Sequence, residues 1–462
     1  MKGCLYRTVL AVAIFIHAVN AGGQVVALQV PASDEVVIGN PLVSRDADNI
    51  IVEYDLILGE LVSSCDIELH VSTDAGVTFK EISEGVTGDI RGIESSGRKM
   101  IKIPFLLYRN MFTGKSLAFN LVVADKSTMK FKLSSAVDLS IEGTANCYIV
   151  STSGAYSIKA VKGNCHQSVG NVAGVEVLWE TFGTSVTPMV GELVQSVQYD
   201  SGYVYFMIPD VYREGNALIA AKDASGKILW SWHIWLTDQP GKCVYANNAG
   251  TMMDRNLGAT SATPGEVGAL GLLYQWGRKD PFLGSSSISN SVESQSTGKF
   301  DFTKSKKNTG TIAYATEHPT TFITYNSSNY DWYYSGGSST DNTRWQSAKT
   351  IYDPCPAGWR VPDGGSNGLW AKAGFEDQSY DSSDKGMLFG SSISVPATWY
   401  PAAGYRYYSD GALCYVGDSG GYWSVAPSGG SAHYLYFNYY GSVTPTDYYY
   451  RAYGQSVRCL QE

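Results

Sequence analysis

The chain has 462 residues, a length that suggests about three domains, each large enough to bury its own core. Its 34 Lys and Arg against 43 Asp and Glu give a formal net charge of −9. This charge argues against nucleic acid as a partner, because polyanion binding needs clustered cations. Only 17% of the residues are charged, while 49 are glycine, 32 tyrosine and 11 tryptophan, which favours twisted sheets and aromatic-lined loops over helical bundles.

The N-terminus has the pattern of a secretory signal peptide. Two basic residues precede an apolar run from Val9 to Val19, and small residues then form a cleavage site that ends at Ala21. We therefore expect residues 1–21 to be removed and the mature chain to be exported to the periplasm, the cell surface or the medium. This run is too short to span a bilayer and no later apolar run is long enough, so the sequence predicts no transmembrane span.

The first module, residues 22–143, is predicted to be an Ig-like antiparallel β-sandwich. Three segments within it alternate strictly between apolar and polar residues: IIVEYDLIL, CDIELHVS and SLAFNLVV. Such runs, with Asp-Ala-Gly and Thr-Gly-Asp turns between them, are typical of strands that bury one face.

A second small β module is predicted at residues 144–240. It contains VEVLWETF, YVYFMIPD and a hairpin in which an Ala-Ser-Gly turn joins ALIAAKD to KILWSWHIWL. In the last strand Trp230, Trp232 and Ile234 share one face. His233 points to the opposite face, where we expect a hydrogen-bonded structural histidine rather than a metal ligand.

From residue 241 the sequence is rich in glycine, serine, asparagine and aromatic residues, with few long periodic runs. The stretches 268–278 and 367–375 are predicted to be helical, and the terminal SVRCLQE is predicted to be a closing strand. Early helices, terminal strands and long loops describe an α+β domain. The sequence thus predicts a multidomain, mostly β protein with two N-terminal β-sandwich-like modules and a C-terminal α+β domain.

Residues 241–462 carry five ordered motifs: DRNLGAT, GLLYQWGRKDPF, DPCPAGWRVP, GYWSVAPSG and RAYGQSVRCL. In these motifs the chain resembles the Fibrobacter succinogenes major paralogous domain, found in secreted and surface proteins of Bacteroidetes and their relatives. The resemblance implies a C-type-lectin-like or sulfatase-modifying-factor-like fold and an exported protein. The family has no settled biochemical activity, so the resemblance implies a fold more firmly than a function.

Seven cysteines follow the signal peptide, and export makes disulfides permissible. We expect Cys147 to pair with Cys165 because the two are close in sequence. The resemblance implies a second pair, between Cys355 of DPCPAGWRVP and Cys459. The prolines on either side hold Cys355 in a stiff, non-helical loop. Closing about 100 residues would stabilise the fold by about 4–5 kcal/mol, through restraint of the unfolded chain.

Two sequence features allow an enzymatic interpretation. GDSGG at 417–421 matches the nucleophile loop of chymotrypsin-like proteases and would make Ser419 the nucleophile of a hydrolase. However, Tyr422 stands where that family has proline, and neither His233 nor His318 lies in the sequence context of its catalytic histidine. An oxidase-like relative of the sulfatase-modifying fold would instead use Cys414. We expect no enzymatic activity, with these two alternatives left open.

Neither a metal site nor a cofactor is predicted. Six scattered histidines argue against a transition-metal cluster, and the Glu-Pro-Asn and Trp-Asn-Asp motifs of calcium-dependent lectins are absent. Asp341 with Asn342, or Asp410 and Asp418, could bind an ion through loop oxygens, but turn formation is the commoner role of such residues.

Residues 398–453 form the densest aromatic stretch, with fourteen tyrosines, two tryptophans and only five charged residues. Tyrosine and tryptophan suit stacking on sugar rings or a protein hot spot. Adjacent tyrosines in an extended segment face opposite ways, so some must lie at the surface or under loops. We predict a ligand-binding site with Arg406, Asp410 and Asp447 as polar partners and with these anchors: Tyr405, Tyr407, Tyr408, Trp423, Tyr436 and Tyr448.

The sequence therefore favours a secreted or cell-surface, non-catalytic, adhesin-like protein. In this interpretation two β modules carry a C-terminal domain whose aromatic-rich site binds a glycan or a surface protein. One alternative is a structural subunit of a surface or fimbria-like assembly, joined by partner subunits through exposed β edges. The other is the hydrolase or oxidase-like enzyme. An unpaired terminal strand in the first sandwich would favour the subunit, and a histidine beside Ser419 would favour the hydrolase.

Overall fold

The computed structural model describes residues 12–14, 36–58, 62–128, 136–338, 340–374 and 378–462. Strands make up 43% and helices 6%, so the predicted multidomain, mostly β class is confirmed. The chain divides into two compact units, residues 1–131 and 132–462. The predicted signal peptide lies outside the described residues apart from Val12–Ile14.

The first unit contains two four-stranded antiparallel sheets with one core between them. The three predicted period-two segments are strands, and their alternate side chains are buried, as Tyr54 and Leu69 show with no exposed surface. The sheets have the orders β1-β8-β4-β5 and β2-β3-β7-β6. The elements are β1 Val12–Ile14, β2 Val36–Arg45, β3 Asn49–Leu58, β4 Val62–Ser72, β5 Lys80–Glu81, β6 Thr87–Gly88, β7 Gly97–Pro104, α1 Phe105–Phe112 and β8 Ala118–Thr128.

A cavity of about 560 Å³, here called the sandwich cleft, lies in the first unit and is lined by one end of β2, by α1 and by the start of β8. Its walls are mainly apolar, and the Arg45 guanidinium lies 3.7 Å from the centre of the Phe105 ring. The lining residues are Val43, Ser44, Arg45, Ile50, Phe105, Phe112, Thr113, Gly114, Leu117 and Phe119.

The second unit begins with two further four-stranded sheets, in the orders β10-β16-β15-β12 and β13-β14-β11-β9. The predicted hairpin is confirmed, since β15 and β16 pair antiparallel with Leu218 opposite His233. Trp230, Trp232 and Ile234 enter one buried cluster, as their shared face predicts. The elements are β9 Val137–Asp138, β10 Cys147–Val150, β11 Gly154–Lys159, β12 Gly174–Thr181, β13 Ser196–Asp200, β14 Tyr203–Ile208, β15 Gly215–Lys222 and β16 Ile228–Leu236.

The rest of the second unit consists of short strands and loops around a five-stranded sheet and a larger sheet of seven strands. The first has the order β22-β33-β18-β17-β25, and the second runs β28-β27-β32-β29-β30-β31, with β19 added beside β32. The elements are β17 Lys242–Tyr245, β18 Gly250–Met253, β19 Leu273–Gln275, β20 Asp301–Lys304, α2 Ile312–Glu317, β21 Thr321–Thr324, β22 Trp359–Arg360, α3 Leu369–Ala373, β23 Gln378–Asp381, β24 Gly386–Phe389, β25 Ser394–Val395, β26 Thr398–Pro401, β27 Tyr405–Arg406, β28 Leu413–Cys414, β29 Ser419–Ser428, β30 Ser431–Asn438, β31 Val443–Tyr450, β32 Gly454–Ser456 and β33 Leu460–Gln461, with 3-10 helices at Val267–Ala269 and Gly365–Asn367.

Of the three elements predicted in this region, two are confirmed and one is wrong. The helix expected at 367–375 is present as α3, and the closing strand is present as β33. The helix predicted at 268–278 is wrong, because Leu273–Gln275 is a strand that pairs with β32. Its side chains are buried on every side, a pattern that a short core strand shares with a buried helix.

Residues 144–240 and 241–462 share one hydrophobic core. Trp179 and Trp235 of the former pack in the same buried cluster as Trp276, Trp423 and Val457 of the latter. Polar contacts join the same two stretches: the buried Lys279 ammonium donates to the Ser231 carbonyl oxygen at 3.0 Å. The two predicted modules therefore lie in a single compact unit.

The cysteines confirm one predicted disulfide and correct the other. Cys355 and Cys459 are bonded, with their Cα atoms 6.0 Å apart and a sequence separation of 104. The predicted Cys147–Cys165 pair is wrong, since both thiols are free. Cys147 lies on β10 inside the shared core, whereas Cys165 lies in a turn where its Sγ contacts the Lys162 carbonyl oxygen at 3.4 Å.

Candidate functional site

A continuous patch of tyrosine rings lies on the seven-stranded sheet of the second unit, and we call it the tyrosine face. Strands β27, β30 and β31 supply part of it, and the segments around β28 and after β21 supply the rest. Each of its rings is at least partly accessible. Its nine members are Tyr325, Tyr330, Tyr405, Tyr407, Tyr408, Tyr415, Tyr436, Tyr449 and Tyr450.

Tyr453 is the buried hub under this face, with 2% of its surface exposed. It lies three residues after the end of β31 and contacts rings of β27, of the segment that follows β27, and of β31. Its ring centre lies 5.3 Å from that of Tyr405, 5.5 Å from Tyr407, 4.9 Å from Tyr408 and 4.5 Å from Tyr449. The contacts with Tyr405 and Tyr407 are edge-to-face and those with Tyr408 and Tyr449 are tilted, and together they hold the outer rings in fixed orientations.

The face extends well beyond this hub. At one end Tyr415 stacks on Tyr405 with ring centres 5.5 Å apart, and 58% of Tyr415 is exposed. At the other end Tyr330 stacks on Tyr450 at 4.4 Å. The surface therefore offers several rings in sequence rather than a single aromatic platform.

The phenol groups of Tyr405 and Tyr408 are neutral at physiological pH. Burial raises the pKa of Tyr405, and the hydrogen bond with Tyr407 raises the pKa of Tyr408 to about 12. A neutral phenol both donates and accepts hydrogen bonds, as sugar hydroxyls require. At the border of the face one Asp447 carboxylate oxygen accepts the Tyr448 backbone N–H at 2.9 Å.

Four of the predicted anchors belong to the tyrosine face: Tyr405, Tyr407, Tyr408 and Tyr436. Five members were missed. Tyr415, Tyr449 and Tyr450 lie in the aromatic stretch from which the anchors were chosen. Tyr325 and Tyr330 lie outside that stretch, and only folding brings them beside Tyr408 and Tyr450.

Two predicted site residues are corrected because they are buried. Trp423 has no exposed surface; its Nε1–H donates to the Tyr274 carbonyl oxygen at 2.8 Å, so it is a core residue that cannot stack on a ligand. Arg406 is 2% exposed, and its guanidinium donates to the Leu283 carbonyl oxygen at 2.9 Å and pairs with the Glu293 carboxylate. It stabilises the loops under the face and does not reach the surface where a ligand would bind.

Two other predicted residues lie beside the ring network. Tyr448 is 58% exposed, and its described ring contact is with His433 at 6.0 Å. The carboxylate of Asp410 accepts the Ala412 backbone N–H at 3.0 Å and so forms the turn before β28. Neither residue takes part in the contacts that define the tyrosine face.

Ser419 and Cys414, the two residues of the enzymatic alternatives, both lie in surroundings that favour a structural role. The Ser419 hydroxyl is buried and has no hydrogen-bond partner, histidine included, among the described residues. The motif's glycines serve packing instead, since a Cβ on Gly420 would lie 2.3 Å from the Phe437 ring. Burial raises the pKa of the Cys414 thiol, which keeps it protonated rather than nucleophilic.

The first pair of candidate ion ligands, Asp341 and Asn342, already bonds to a buried cation. The Asn342 side-chain oxygen and the Asp341 carbonyl oxygen both accept from the Arg451 guanidinium, at 2.6 and 3.1 Å. A guanidinium thus occupies the position that a bound cation would need. Among the described residues, no group of three or more His, Cys, Asp or Glu side chains could hold a metal ion.

His233 is a structural histidine, as predicted. It is 1% exposed, and its Nε2 lies 2.9 Å from the Asn216 side-chain oxygen. Burial lowers its pKa to about 3, so the ring is neutral at physiological pH.

Comparisons with known proteins leave the family open. No protein-family model and no curated protein matches the chain. One solved structure found is SGBP-B of the Bacteroides ovatus mixed-linkage glucan utilization locus, in complex with a mixed-linkage heptasaccharide. It is 12% identical, covers 48% of this chain and 73% of its own, and has a TM-score of 0.13, at which the similarity carries no argument. In the described part of the chain, no helix is long and apolar enough to cross a membrane.

Proposed function

We propose that this protein is an exported, non-catalytic binding protein whose tyrosine face binds glycans at or outside the cell surface. The observation that carries this proposal is the cluster of nine accessible tyrosine rings. Five of them contact the buried Tyr453, three more contact those five, and Tyr436 is linked to Tyr449 through the buried Tyr434. Flat apolar rings with a polar edge stack on the apolar faces of sugar rings, and their hydroxyl groups can bond to sugar hydroxyls. Because the rings already brace one another, little side-chain entropy is lost on binding.

The chemistry of the same region supports a binding role over an enzymatic one. Within the described part of the chain no base contacts the Ser419 hydroxyl, and burial raises the pKa of the Cys414 thiol. The C-type-lectin-like resemblance of residues 241–462 points in the same direction, as that fold is used for recognition in many exported proteins.

The test is glycan binding by the mature full-length chain, measured by calorimetry on ligands selected from an array. Tyr405→Ala, Tyr415→Ala and Tyr449→Ala each remove one ring of the face. We expect each to weaken binding by about tenfold or more, the usual cost of removing a well-packed aromatic anchor.

Tyr440→Ala is the matched control. Tyr440 is 77% exposed at the β30–β31 hairpin, where its described ring contact is with Tyr439 at 3.8 Å and not with a ring of the face. It should bind like the wild type. Absence of saturable binding to any glycan, or equal loss in Tyr440→Ala, would overturn the proposal.

A structural subunit is the second candidate, and the sandwich cleft favours it. This apolar cavity lies beside β2, an edge strand of its sheet, where an extended apolar strand from another copy could add. Light scattering over a concentration series should then show multimers that Val43→Lys abolishes, since Val43 lines the cleft. Leu42→Lys is the control, because Leu42 is exposed and is not part of the lining. A monomer at every concentration would refute this candidate.

A further inference from the structure

We propose that the tyrosine face is selective for uncharged, extended glycan chains and discriminates against glycans that carry carboxylate or sulfate groups. This inference rests on the proposed function and names the substrate class of the same site. It follows from the positions of the charged side chains on the segments that carry the face, and from the number of rings in contact.

The two cationic side chains within residues 398–453 are buried. Arg406 and Arg451 are 2% and 0% exposed. Arg451 lies between Tyr450 and Tyr453 in the chain, yet its guanidinium points into the core, 4.3 Å from the centre of the Trp276 ring. Neither guanidinium is available to an anionic ligand.

The bonding of Arg451 explains why it stays inside. Its Nε donates to the Ser431 carbonyl oxygen at 2.9 Å, and one terminal nitrogen donates to the Gly429 carbonyl oxygen at 3.0 Å. The other terminal nitrogen lies 3.7 Å from an Asp331 carboxylate oxygen. Turning the side chain out to a ligand would leave these buried acceptors unpaired, which is costly.

The acids of the same stretch remain accessible. Asp410 and Asp418 are exposed, and Asp447 is half-buried. Asp418 lies beside the most exposed ring of the face, since its backbone N–H donates to the Tyr415 carbonyl oxygen at 3.1 Å. The accessible charges of this stretch are therefore all negative, and an anionic sugar brought to the rings meets charges of its own sign.

The length of the ring path indicates a chain rather than a single sugar. From Tyr415 the contacts run through Tyr405, the buried Tyr453 and Tyr450 to Tyr330, with successive centre separations of 5.5, 5.3, 6.3 and 4.4 Å. Tyr453 links the other four rings from beneath, and those four are the accessible platforms. A single sugar ring covers one or two of these platforms. A chain of several units can contact more of them at once, which strengthens binding.

The experiment measures binding of neutral hexose oligomers, from disaccharide to hexasaccharide, to the mature full-length protein. Each oligomer is paired with its C6-carboxylate derivative, which keeps the linkage and changes only the charge. We expect affinity to rise with length, and each carboxylate form to bind at least about tenfold more weakly than its neutral parent. Asp418→Asn, which removes the exposed carboxylate beside Tyr415, should narrow the ratio of neutral to carboxylate affinity.

Asp223→Asn is the control, because Asp223 also forms an exposed turn but lies in the β15–β16 hairpin, away from the face. If the carboxylate forms bind as tightly as the neutral forms or more tightly, and Tyr405→Ala abolishes that binding, the selectivity is overturned while the glycan-binding function stands. Affinity independent of length would overturn the extended-chain part. Absence of binding to all oligomers of both kinds would overturn the proposed function and this inference with it.

Discussion

Asn146 joins the two sequence stretches of the second unit, and Asn146→Ala tests that connection. The side chain is 1% exposed. Its Nδ2 donates to the Ile351 and Asp353 carbonyl oxygens at 2.7 and 2.8 Å, and its Oδ1 accepts the Trp230 indole N–H at 3.0 Å. One carboxamide thus connects β16 to the loop that precedes the Cys355 disulfide.

The expected cost follows from the groups that lose their partners. The Asp353 carbonyl oxygen keeps a bond from Asn164 Nδ2 at 3.2 Å. The Ile351 carbonyl and the Trp230 indole lose the partner that Asn146 provides. An unsatisfied buried polar group costs about 1–3 kcal/mol, so Asn146→Ala should lower the free energy of unfolding by about 2–6 kcal/mol.

Urea denaturation of the full mature chain, followed by tryptophan fluorescence, measures this change. Asn290→Ala is the control, since Asn290 is exposed and its side chain contacts only the nearby Ser287 hydroxyl at 3.3 Å among described partners. It should change stability by less than about 0.5 kcal/mol. A loss below about 1 kcal/mol for Asn146→Ala, with an unchanged denaturant slope, would refute the argument.

Three further predictions concern the second unit. Cys355→Ser with Cys459→Ser should lower the free energy of unfolding by about 4–5 kcal/mol, measured by urea denaturation, because it releases a loop with a sequence separation of 104; an unchanged midpoint would contradict this. Folding lowers the pKa of His233 to about 3. Below about pH 6.5 the unfolded chain therefore binds a proton at this histidine, while the folded chain does not. The contribution of the neutral ring to stability is present at pH 7 and is lost as the pH falls toward 3. His233→Gln should flatten the fall in melting temperature between about pH 6.5 and pH 4, and an identical pH profile would count against it. A fragment of residues 132–462 should fold, whereas one of residues 241–462 should not, because the second cut exposes core shared with Trp179 and Trp235; a cooperative melting transition for the shorter fragment would refute this.

The sequence predicted which region carries the candidate site, but not which aromatic residues form it. The density of tyrosine in residues 398–453 locates the region, because a local excess of one residue type can be seen without knowledge of the fold. It does not separate Trp423, which the structure buries, from Tyr415, which it exposes. Both are large aromatic residues with the same propensities, and their burial depends on which loops cover each end of the sheet.

What the sequence by itself determined are the features that depend on near neighbours. Alternation in IIVEYDLIL produces a strand with one buried face, and the turn after Asp223 pairs β15 with β16, because side-chain direction and turn geometry are local properties. Only the tertiary structure decided that Leu273–Gln275 is a core strand, that Cys147 is unpaired, and that Tyr330 stacks on Tyr450. Each of these depends on contacts between segments far apart in the chain, and no local pattern records which distant segment will supply the partner.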